Sequence, residues 1–247
     1  MTLQDLPPSA AEADGSAIVR VLSYNVRSLR DDQEALARVI RACAPDVVCI
    51  QEAPRFFRWR KKAARLARAA GLVYVTGGAT AAGPMILSSL RPLVERTEDV
   101  LLPRIPGLHQ RGLATAVLRF GPVRLGVVSC HLSLVAEERL TQTGLLLERL
   151  EALGTDHTVV AGDLNDRPEG RSFRRLADSL QDGWAAAPWG GEHTIASGRR
   201  IDAVFASKGI KVLGCGVPAG LPGVATPDLG TATDHLPVLA ALRVPSA

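Results

Sequence analysis

Four apolar runs of this chain each end in a polar side chain. "VRVLSYN" ends at Asn25, "VVCIQE" at Glu52, "LGVVSCH" at His131 and "TVVAGD" at Asp163. Continuous apolar runs of this length are typical of strands buried on both faces of a sheet. One polar residue at a strand end is most often a turn residue. The repetition of the pattern indicates that the core strands hold a polar cluster in place.

Two later apolar runs begin with polar residues instead of ending with them. Asp202 opens "DAVFAS", and Asp234 with His235 precedes "LPVLAAL". If these two strands run opposite to the first four, all of the polar groups reach the same edge of the fold.

Helical patterns alternate with the strands. Apolar residues recur at helical spacing over 31–44 and 136–154, and each pattern lies between two of the strands that end in polar groups. We therefore predict an α/β fold, a four-layer α/β/β/α sandwich of two mixed sheets packed face to face with helices outside. Residues 1–17 are predicted to be a disordered lead-in, and 18–247 a single domain.

The composition restricts the class of protein. No apolar run approaches the roughly 18 residues that a membrane helix needs, and the first residues carry no basic and apolar signal pattern. The four cysteines lack metal-ligand spacing and are interpreted as reduced, small core residues. We predict a monomeric cytoplasmic protein that does not insert into membranes.

The net charge of +4 is localised, because seven basic residues and no acidic residue lie in 55–68. This segment is either an amphipathic helix with a solvated face or a patch that attracts phosphate. Arg27 and the basic segment follow Asn25 and Glu52 closely, so both are candidates for binding a polyanion. Trp184 is the candidate for stacking on a nucleic acid base, whereas simple packing is the alternative interpretation.

The clustered side chains suit one kind of chemistry. Carboxylate and amide oxygens are hard ligands that favour Mg²⁺ or Mn²⁺ over zinc. Imidazoles transfer protons or contact phosphate near neutral pH. Metal-assisted phosphoester hydrolysis requires this combination. The oxygen donors are Asn25, Glu52, Asp163 and Asp234, and the imidazoles are His131 and His235.

Six motifs carry a resemblance to a known family. In chain order from residue 23 to 238 they are "SYNVRSL", "CIQEA", "SCHLSL", "AGDLNDRP", "RRIDAVFAS" and "TDHLPV". With them the chain resembles the endonuclease/exonuclease/phosphatase superfamily, whose fold is that of deoxyribonuclease I. The resemblance implies divalent-metal-dependent phosphoester hydrolysis, with Mg²⁺ as the cofactor and Mn²⁺ as its substitute.

The resemblance also implies roles on the metal side of the site. Glu52 is the principal metal ligand, and Asn25 lies beside it. Asp234 borders the metal region, where a second ion would bind.

On the catalytic side, the resemblance implies that Asp163 orients or deprotonates the attacking water. Asn165 holds the phosphate or a water ligand of the metal. His235 acts on the phosphate or as a base, and Asp202 fixes its tautomer. His131 contacts the phosphate in the transition state.

Differences between this sequence and the motifs of some family members narrow the range of possible substrates. Members that cleave abasic DNA have an Asp at the position of His131 and a catalytic tyrosine, which this chain lacks. We therefore predict a phosphodiesterase or nuclease that uses in-line attack by an activated water. The alternatives are a phosphomonoesterase, a lipid or sugar-phosphate phosphodiesterase, and a non-catalytic binding protein on the same fold. His109 is interpreted as an incidental loop histidine. Arg111 could reach a phosphate but is not included among the predicted site residues.

Overall fold

The computed structural model describes residues 2–246. The strands are β1 (Ala10–Ala11), β2 (Ala17–Asn25), β3 (Val47–Gln51), β4 (Val73–Gly77), β5 (Met85–Ser88), β6 (Leu93–Leu101), β7 (Gly112–Phe120), β8 (Val123–His131), β9 (His157–Asp163), β10 (Gln181–Asp182), β11 (Asp202–Ala206), β12 (Lys211–Gly216) and β13 (Val238–Val244). The α-helices are α1 (Gln33–Cys43), α2 (Trp59–Ala70), α3 (Ala136–Glu151), α4 (Arg171–Ser179), α5 (Gly183–Ala186) and α6 (Thr226–Ala232).

The strands form two mixed sheets. The first has the order β12-β13-β2-β3-β5-β4, with β1 also paired to β2, and the second has the order β10-β11-β9-β8-β7-β6. In each sheet one pair of neighbours is parallel: β2 with β3, and β8 with β9. A helix connects the two strands of each parallel pair, as βαβ geometry requires.

The two sheets pack face to face around an apolar core. The alternating residues Ala114, Ala116 and Leu118 of β7 and Val19 and Val21 of β2 belong to this core. A second apolar cluster lies between the first sheet and α1, α2 and α6. A third lies between the second sheet and α3 and α4. The predicted four-layer α/β/β/α sandwich is confirmed.

The antiparallel partners bring the polar strand ends together. β13 runs antiparallel to β2, and β11 runs antiparallel to β9. Asp163 is therefore the register partner of both His131 and Asp202. The strands that begin with a polar group meet the strands that end with one at a single edge of the sandwich.

The basic segment is helical only in part. α2 begins at Trp59, after Arg58 adopts the left-handed backbone conformation with φ of 56°, and it ends before Gly71. Residues 55–58 instead form a loop that follows Pro54. The helix buries Ala63, Leu66 and other small side chains, while its basic residues face solvent.

The structure differs from the prediction of a disordered lead-in. Residues 3–5 form a 3₁₀ turn, and β1 pairs with β2. Leu6 is 2% exposed, and the Arg20 guanidinium donates hydrogen bonds to the carbonyls of Leu6 and Pro7. These contacts come from residues distant in the sequence, so local composition does not reveal them. Met1 and Ala247 lie outside the described residues, and the domain limits stay a prediction.

Across residues 2–246, every helix is too short or too polar to cross a lipid bilayer.

Candidate active site

A cavity of about 310 Å³ opens at the edge where the polar strand ends meet. The second sheet supplies Asp163, and the loops after β3 and before β13 supply the groups that face it. Of the residues predicted from the sequence, five line this cavity: Glu52, His131, Asp163, Asn165 and His235.

Asp163 lies at the centre of the polar cluster and is 2% exposed. Its Oδ1 accepts a hydrogen bond from the backbone N–H of Asn165 at 2.9 Å, and its Oδ2 accepts one from Asn25 Nδ2 at 3.1 Å. Burial raises the pKa of Asp163, and the nearby Asp202 carboxylate raises it further. The group therefore binds a proton more readily than an exposed aspartate.

His235 forms a hydrogen-bonded pair with Asp202. Their Nδ1 and Oδ2 atoms are 2.9 Å apart, and His235 Nε2 lies 3.8 Å from Asp163 Oδ2. Burial by itself would lower the pKa of His235, but the bond to Asp202 and the neighbouring carboxylates outweigh it and raise the pKa to about 9. Asp202 is held from behind, because its backbone N–H donates to the hydroxyl of the fully buried Thr194.

His131 faces the same carboxylate from the other side. Its Nε2 lies 3.5 Å from Asp163 Oδ2. Burial lowers the pKa of His131 to about 4, which exceeds the opposing effect of the Asp163 charge. His131 is thus neutral at pH 7.

Glu52 directly follows β3 and Asn165 is the second residue after β9, and both have left-handed backbone conformations, with φ of 52° and 50°. Such conformations cost on the order of 1–3 kcal/mol for residues with a side chain and concentrate at functional sites. Asn165 also donates from Nδ2 to the Leu132 carbonyl at 2.9 Å. This bond ties the loop after β9 to the loop after β8.

The donors around Glu52 fit a divalent metal. Asn25 Nδ2 donates to Glu52 Oε1 at 3.3 Å, and within residues 2–246 no Lys, Arg or His lies within ion-pair distance of the Glu52 carboxylate. Asp202 Oδ1 is buried without a hydrogen-bond partner. Three carboxylates and one amide in one cluster are the hard oxygen donors that Mg²⁺ and Mn²⁺ prefer.

Two details of the arrangement refine the predicted metal ligands. The amide nitrogen of Asn25 points at both Glu52 and Asp163, so Asn25 bridges these carboxylates, and its ligation through oxygen stays a prediction. Asp163, Asp202 and His235 also offer three ligand atoms within 4.8 Å of one another. We interpret these three as a hydrogen-bonded relay, because the Nδ1 of His235 is already paired with Asp202.

Asp234 and Arg27 lie beside the cavity rather than in its lining. Arg27 Nε is 3.3 Å from Asp234 Oδ2, and the Asp234 side chain is 52% exposed. Arg27 also contacts Asp31 at 3.3 Å. Because each charge is engaged by the other, the roles of Asp234 at a metal and of Arg27 at a substrate stay predictions.

The structure does not bring Trp184 to the cavity. It lies in α5 and packs against Gly216, next to Asp182 on the far side of Asp202. Trp189 is 4% exposed and packs against Gly214. Both tryptophans are therefore packing residues, because the loop that carries them folds back onto β12.

Several residues that line the cavity were not predicted from the sequence, namely Ser28, Arg30, His109, Arg111 and Leu134, and Arg55 was included only as part of the basic segment 55–68. The sequence contains a signal that locates one of them, Arg111. The "FGPVR" turn predicts that β7 runs antiparallel to β8, so the start of β7 must lie near the end of β8 at His131. Arg111 directly precedes β7 and was detectable in this way. Burial lowers the pKa of Arg111, while Asp163 and Glu52 raise it.

A comparison with known families identifies the chain. The sequence profile of the endonuclease/exonuclease/phosphatase family matches residues 22–235. The chain belongs to this family. Its members are phosphoester hydrolases and generally depend on a divalent metal, so the predicted enzyme class is confirmed.

Solved structures share the fold of this family member. A Bacteroides vulgatus endonuclease/exonuclease/phosphatase is 19% identical with a TM-score of 0.75, and the alignment covers 92% of this chain and 99% of that one. A Bacteroides thetaiotaomicron mannosyl-6-phosphatase is 18% identical with a TM-score of 0.75, covering 91% and 99%. Truncated Caenorhabditis elegans TDP2 is 19% identical with a TM-score of 0.69, covering 92% and 98%. A search of curated proteins found no match.

Proposed function

We propose that this family member hydrolyses phosphodiester bonds with Mg²⁺, for which Mn²⁺ substitutes, by in-line attack of an activated water. One observation carries the proposal. A buried carboxylate with a raised pKa, Asp163, lies between two imidazoles and the Asn25–Glu52 pair, inside a cavity lined by arginines. The predicted monomeric state and cytoplasmic location stay predictions.

Glu52 would hold the metal, whereas ligation by the Asn25 oxygen would require the amide to turn and to give up its hydrogen bonds to Glu52 and Asp163. A bound divalent cation supplies a Lewis acid that offsets the negative charge of the phosphoryl oxygens. Asn25 also keeps the Glu52 and Asp163 carboxylates at a fixed separation through its two hydrogen bonds.

Asp163 is the group that orients the water and accepts its proton. Its raised pKa suits this role, because a base is most effective when its pKa lies near the working pH. The hydrogen bonds from Asn25 and Asn165 fix both carboxylate oxygens, so the base is positioned before the substrate arrives.

His235 is the cationic group that acts on the phosphate. Its pKa of about 9 means that it carries a proton at pH 7, which favours contact with phosphoryl oxygens over a role as the base. His235 donates its Nδ1–H to Asp202 Oδ2, which leaves Nε2–H directed toward Asp163 and the cavity. His131, which is neutral, offers a hydrogen bond without adding charge.

The arginines of the cavity support phosphate binding. Arg30, Arg55 and Arg111 line it together with His109. Guanidinium groups bind phosphate in a fixed geometry, and this interaction strengthens as negative charge develops on the phosphoryl oxygens during the reaction.

A phosphomonoesterase is the second candidate, and the same arginines favour it. A monoester carries more negative charge than a diester, which three guanidinium groups would bind well. The similarity in fold to a mannosyl-6-phosphatase is compatible with this candidate.

The test is steady-state hydrolysis of bis-p-nitrophenyl phosphate and p-nitrophenyl phosphate with Mg²⁺ or Mn²⁺, with and without EDTA. We expect EDTA to abolish turnover and Asp163→Asn to lower kcat by at least about 10³-fold, since the base is lost. Asp156→Asn is the matched control, because Asp156 is exposed at the other end of the strand that carries Asp163.

The two substrates separate the two candidates. Faster turnover of the diester supports the proposal, and faster turnover of the monoester supports the second candidate. Near-wild-type activity of Asp163→Asn on both substrates would remove the assigned role of this carboxylate.

A further inference from the structure

Two exposed aromatic side chains stand beside the cavity. Phe56 and Phe57 are each 79% exposed and directly follow Arg55, which lines the cavity. We refer to Phe56 and Phe57 as the aromatic tip. Burying a phenylalanine contributes roughly 1.5–3 kcal/mol, so leaving two adjacent rings in water forgoes a large stabilisation. Exposed apolar groups at the edge of a binding cavity are typical of contact surfaces.

A row of cations begins where the aromatic tip ends. Arg58 precedes α2, and Lys62, Arg65 and Arg68 follow at intervals of one helical turn, about 5.4 Å. We refer to these four residues as the cationic row. All four are exposed. Arg65 also faces a groove between α1 and α2 to which α1 contributes Arg41.

The cationic row lacks acidic partners. Within the described part of the chain, none of its members lies within 4.0 Å of a carboxylate oxygen, whereas Arg91, Arg124 and Arg171 on other surfaces each do. The positive charge of α2 is therefore available to an external anion. Four cations spaced over three turns suit a polymer that carries regularly spaced negative charges.

The rings and the cations form one surface. The Arg55 guanidinium lies 5.8 Å from the Phe56 ring centroid, and the Arg58 guanidinium lies 5.3 Å from that of Phe57. Proteins that bind single-stranded nucleic acid combine these two elements, a basic track for the backbone and aromatic side chains on which bases stack.

We propose that the aromatic tip and the cationic row bind single-stranded nucleic acid and lead one of its phosphates past Arg55 into the cavity. The proposal rests on the proposed function, because it names the substrate class of the same site. Bases of a single strand are free to stack on Phe56 and Phe57, whereas bases in a duplex already stack on one another. The cations extend along one helix on one side of the cavity, which suits a strand better than the flat surface of a membrane.

Binding can be tested separately from catalysis. In the Asp163→Asn background, fluorescence anisotropy measures the affinity for a short labelled single-stranded DNA of mixed sequence. We expect Phe56→Ala/Phe57→Ala to weaken binding at least about tenfold, in line with the stacking of one or two bases. Leu90→Ala is the matched control, since Leu90 is 86% exposed on another surface and should leave affinity unchanged.

The cationic row has its own readout. Arg58→Ala/Lys62→Ala/Arg65→Ala should reduce the slope of log Kd against log salt by about 2, because a single strand releases roughly 0.7 counterion per neutralised phosphate. Lys211 is an exposed cation on β12, at the edge of the first sheet opposite β4. Lys211→Ala should therefore leave the slope unchanged. Circular dichroism and melting curves establish that each variant is folded.

Three ligands complete the test. Duplex DNA of the same sequence and an oligomer of abasic sites should both bind at least about tenfold more weakly than the single strand, because neither offers free bases to stack. Phosphatidylserine vesicles should not bind. Equal affinity for the single strand and the abasic oligomer, no effect of Phe56→Ala/Phe57→Ala, or binding to vesicles in place of DNA would each overturn the proposal. Because the background is inactive, none of these results depends on whether the enzyme hydrolyses diesters.

Discussion

His131 and His235 flank the same carboxylate, yet their surroundings shift their pKa values in opposite directions. Burial lowers the pKa of His131 to about 4, because the ring lies in the sheet edge and receives only partial compensation from Asp163. His235 is also desolvated, but the Asp202 carboxylate bonded to its Nδ1 reverses the effect and raises the pKa to about 9. Two residues of the same type thus supply one neutral donor and one cation.

The raised pKa of His235 predicts a pH dependence of stability. The protonated form is favoured in the folded state, so its contribution is fully present below the unfolded-state pKa of about 6.5 and is lost as pH rises through about 9. In EDTA, the difference in free energy of unfolding between wild type and His235→Gln should fall by roughly 3 kcal/mol between pH about 6 and about 9.5. Urea unfolding at the two pH values measures this difference.

His157 provides a control for this prediction, since it lies at the start of β9, far along the strand from Asp163. His157→Gln should not reproduce the change over the same pH interval. A difference between wild type and His235→Gln that stays constant from pH about 6 to about 9.5 would show that Asp202 does not hold a proton on His235.

At the scale of elements, the loop between β9 and α4 fixes the position of Asn165. The helix α4 has no side-chain cap at Gly170, and Asp166 takes over this task. Its Oδ2 accepts hydrogen bonds from the backbone N–H groups of Ser172 at 3.0 Å and Phe173 at 3.3 Å. Its Oδ1 lies 3.5 Å from the Arg139 guanidinium of α3. The carboxylate of Asp166, which directly follows Asn165, thus contacts both α3 and α4 and holds this loop in place.

Replacing Asp166 should weaken this junction. We expect Asp166→Ala to lower the free energy of unfolding by about 1–2 kcal/mol, because the first turn of α4 loses its acceptor. Asp178→Ala, an exposed position near the end of the same helix, should change it by less than about 0.5 kcal/mol. Urea denaturation followed by circular dichroism compares the two variants, and equal effects would contradict the capping role.

At the scale of the whole molecule, the site exists only while the two sheets are packed together. Hydrogen bonds cross between them at the site, from Asn25 of the first sheet to Asp163 of the second and between His235 and Asp202. Ser129 of β8 also donates to the Ile50 carbonyl of β3 at 3.1 Å. The apolar core between the sheets therefore positions the catalytic groups as well as stabilising the fold.

A cavity in this core should therefore affect the whole protein at once. Leu118 is fully buried between the sheets, toward the end of β7 away from the site. Leu118→Ala should cost about 2–5 kcal/mol of unfolding free energy. Tryptophan fluorescence, circular dichroism and phosphoester hydrolysis should be lost in one coincident urea transition, as expected for a single cooperative unit. Separate transitions would indicate that the sheets unfold independently.

The sequence by itself determined the sandwich and most of the polar cluster. Apolar periodicity is a local property of the sequence. An apolar run predicts a buried strand, and the polar residue at its end (Asn25, Glu52, His131 or Asp163) predicts which end of that strand lies at the site. The βαβ pattern made each parallel pair necessary, and the antiparallel return of β11 and β13 then placed Asp202 and His235 opposite Asp163.

Only the tertiary structure decided what surrounds this cluster. Arg55 and His109 reach the cavity from loops that have no periodicity, so their positions depend on how distant strands pack. The same holds for Trp184, which folds back onto β12, and for the lead-in, which β2 and Arg20 hold in place. Strand interiors are fixed by the alternation of their own residues, whereas a loop takes its position from contacts with residues far away in the chain.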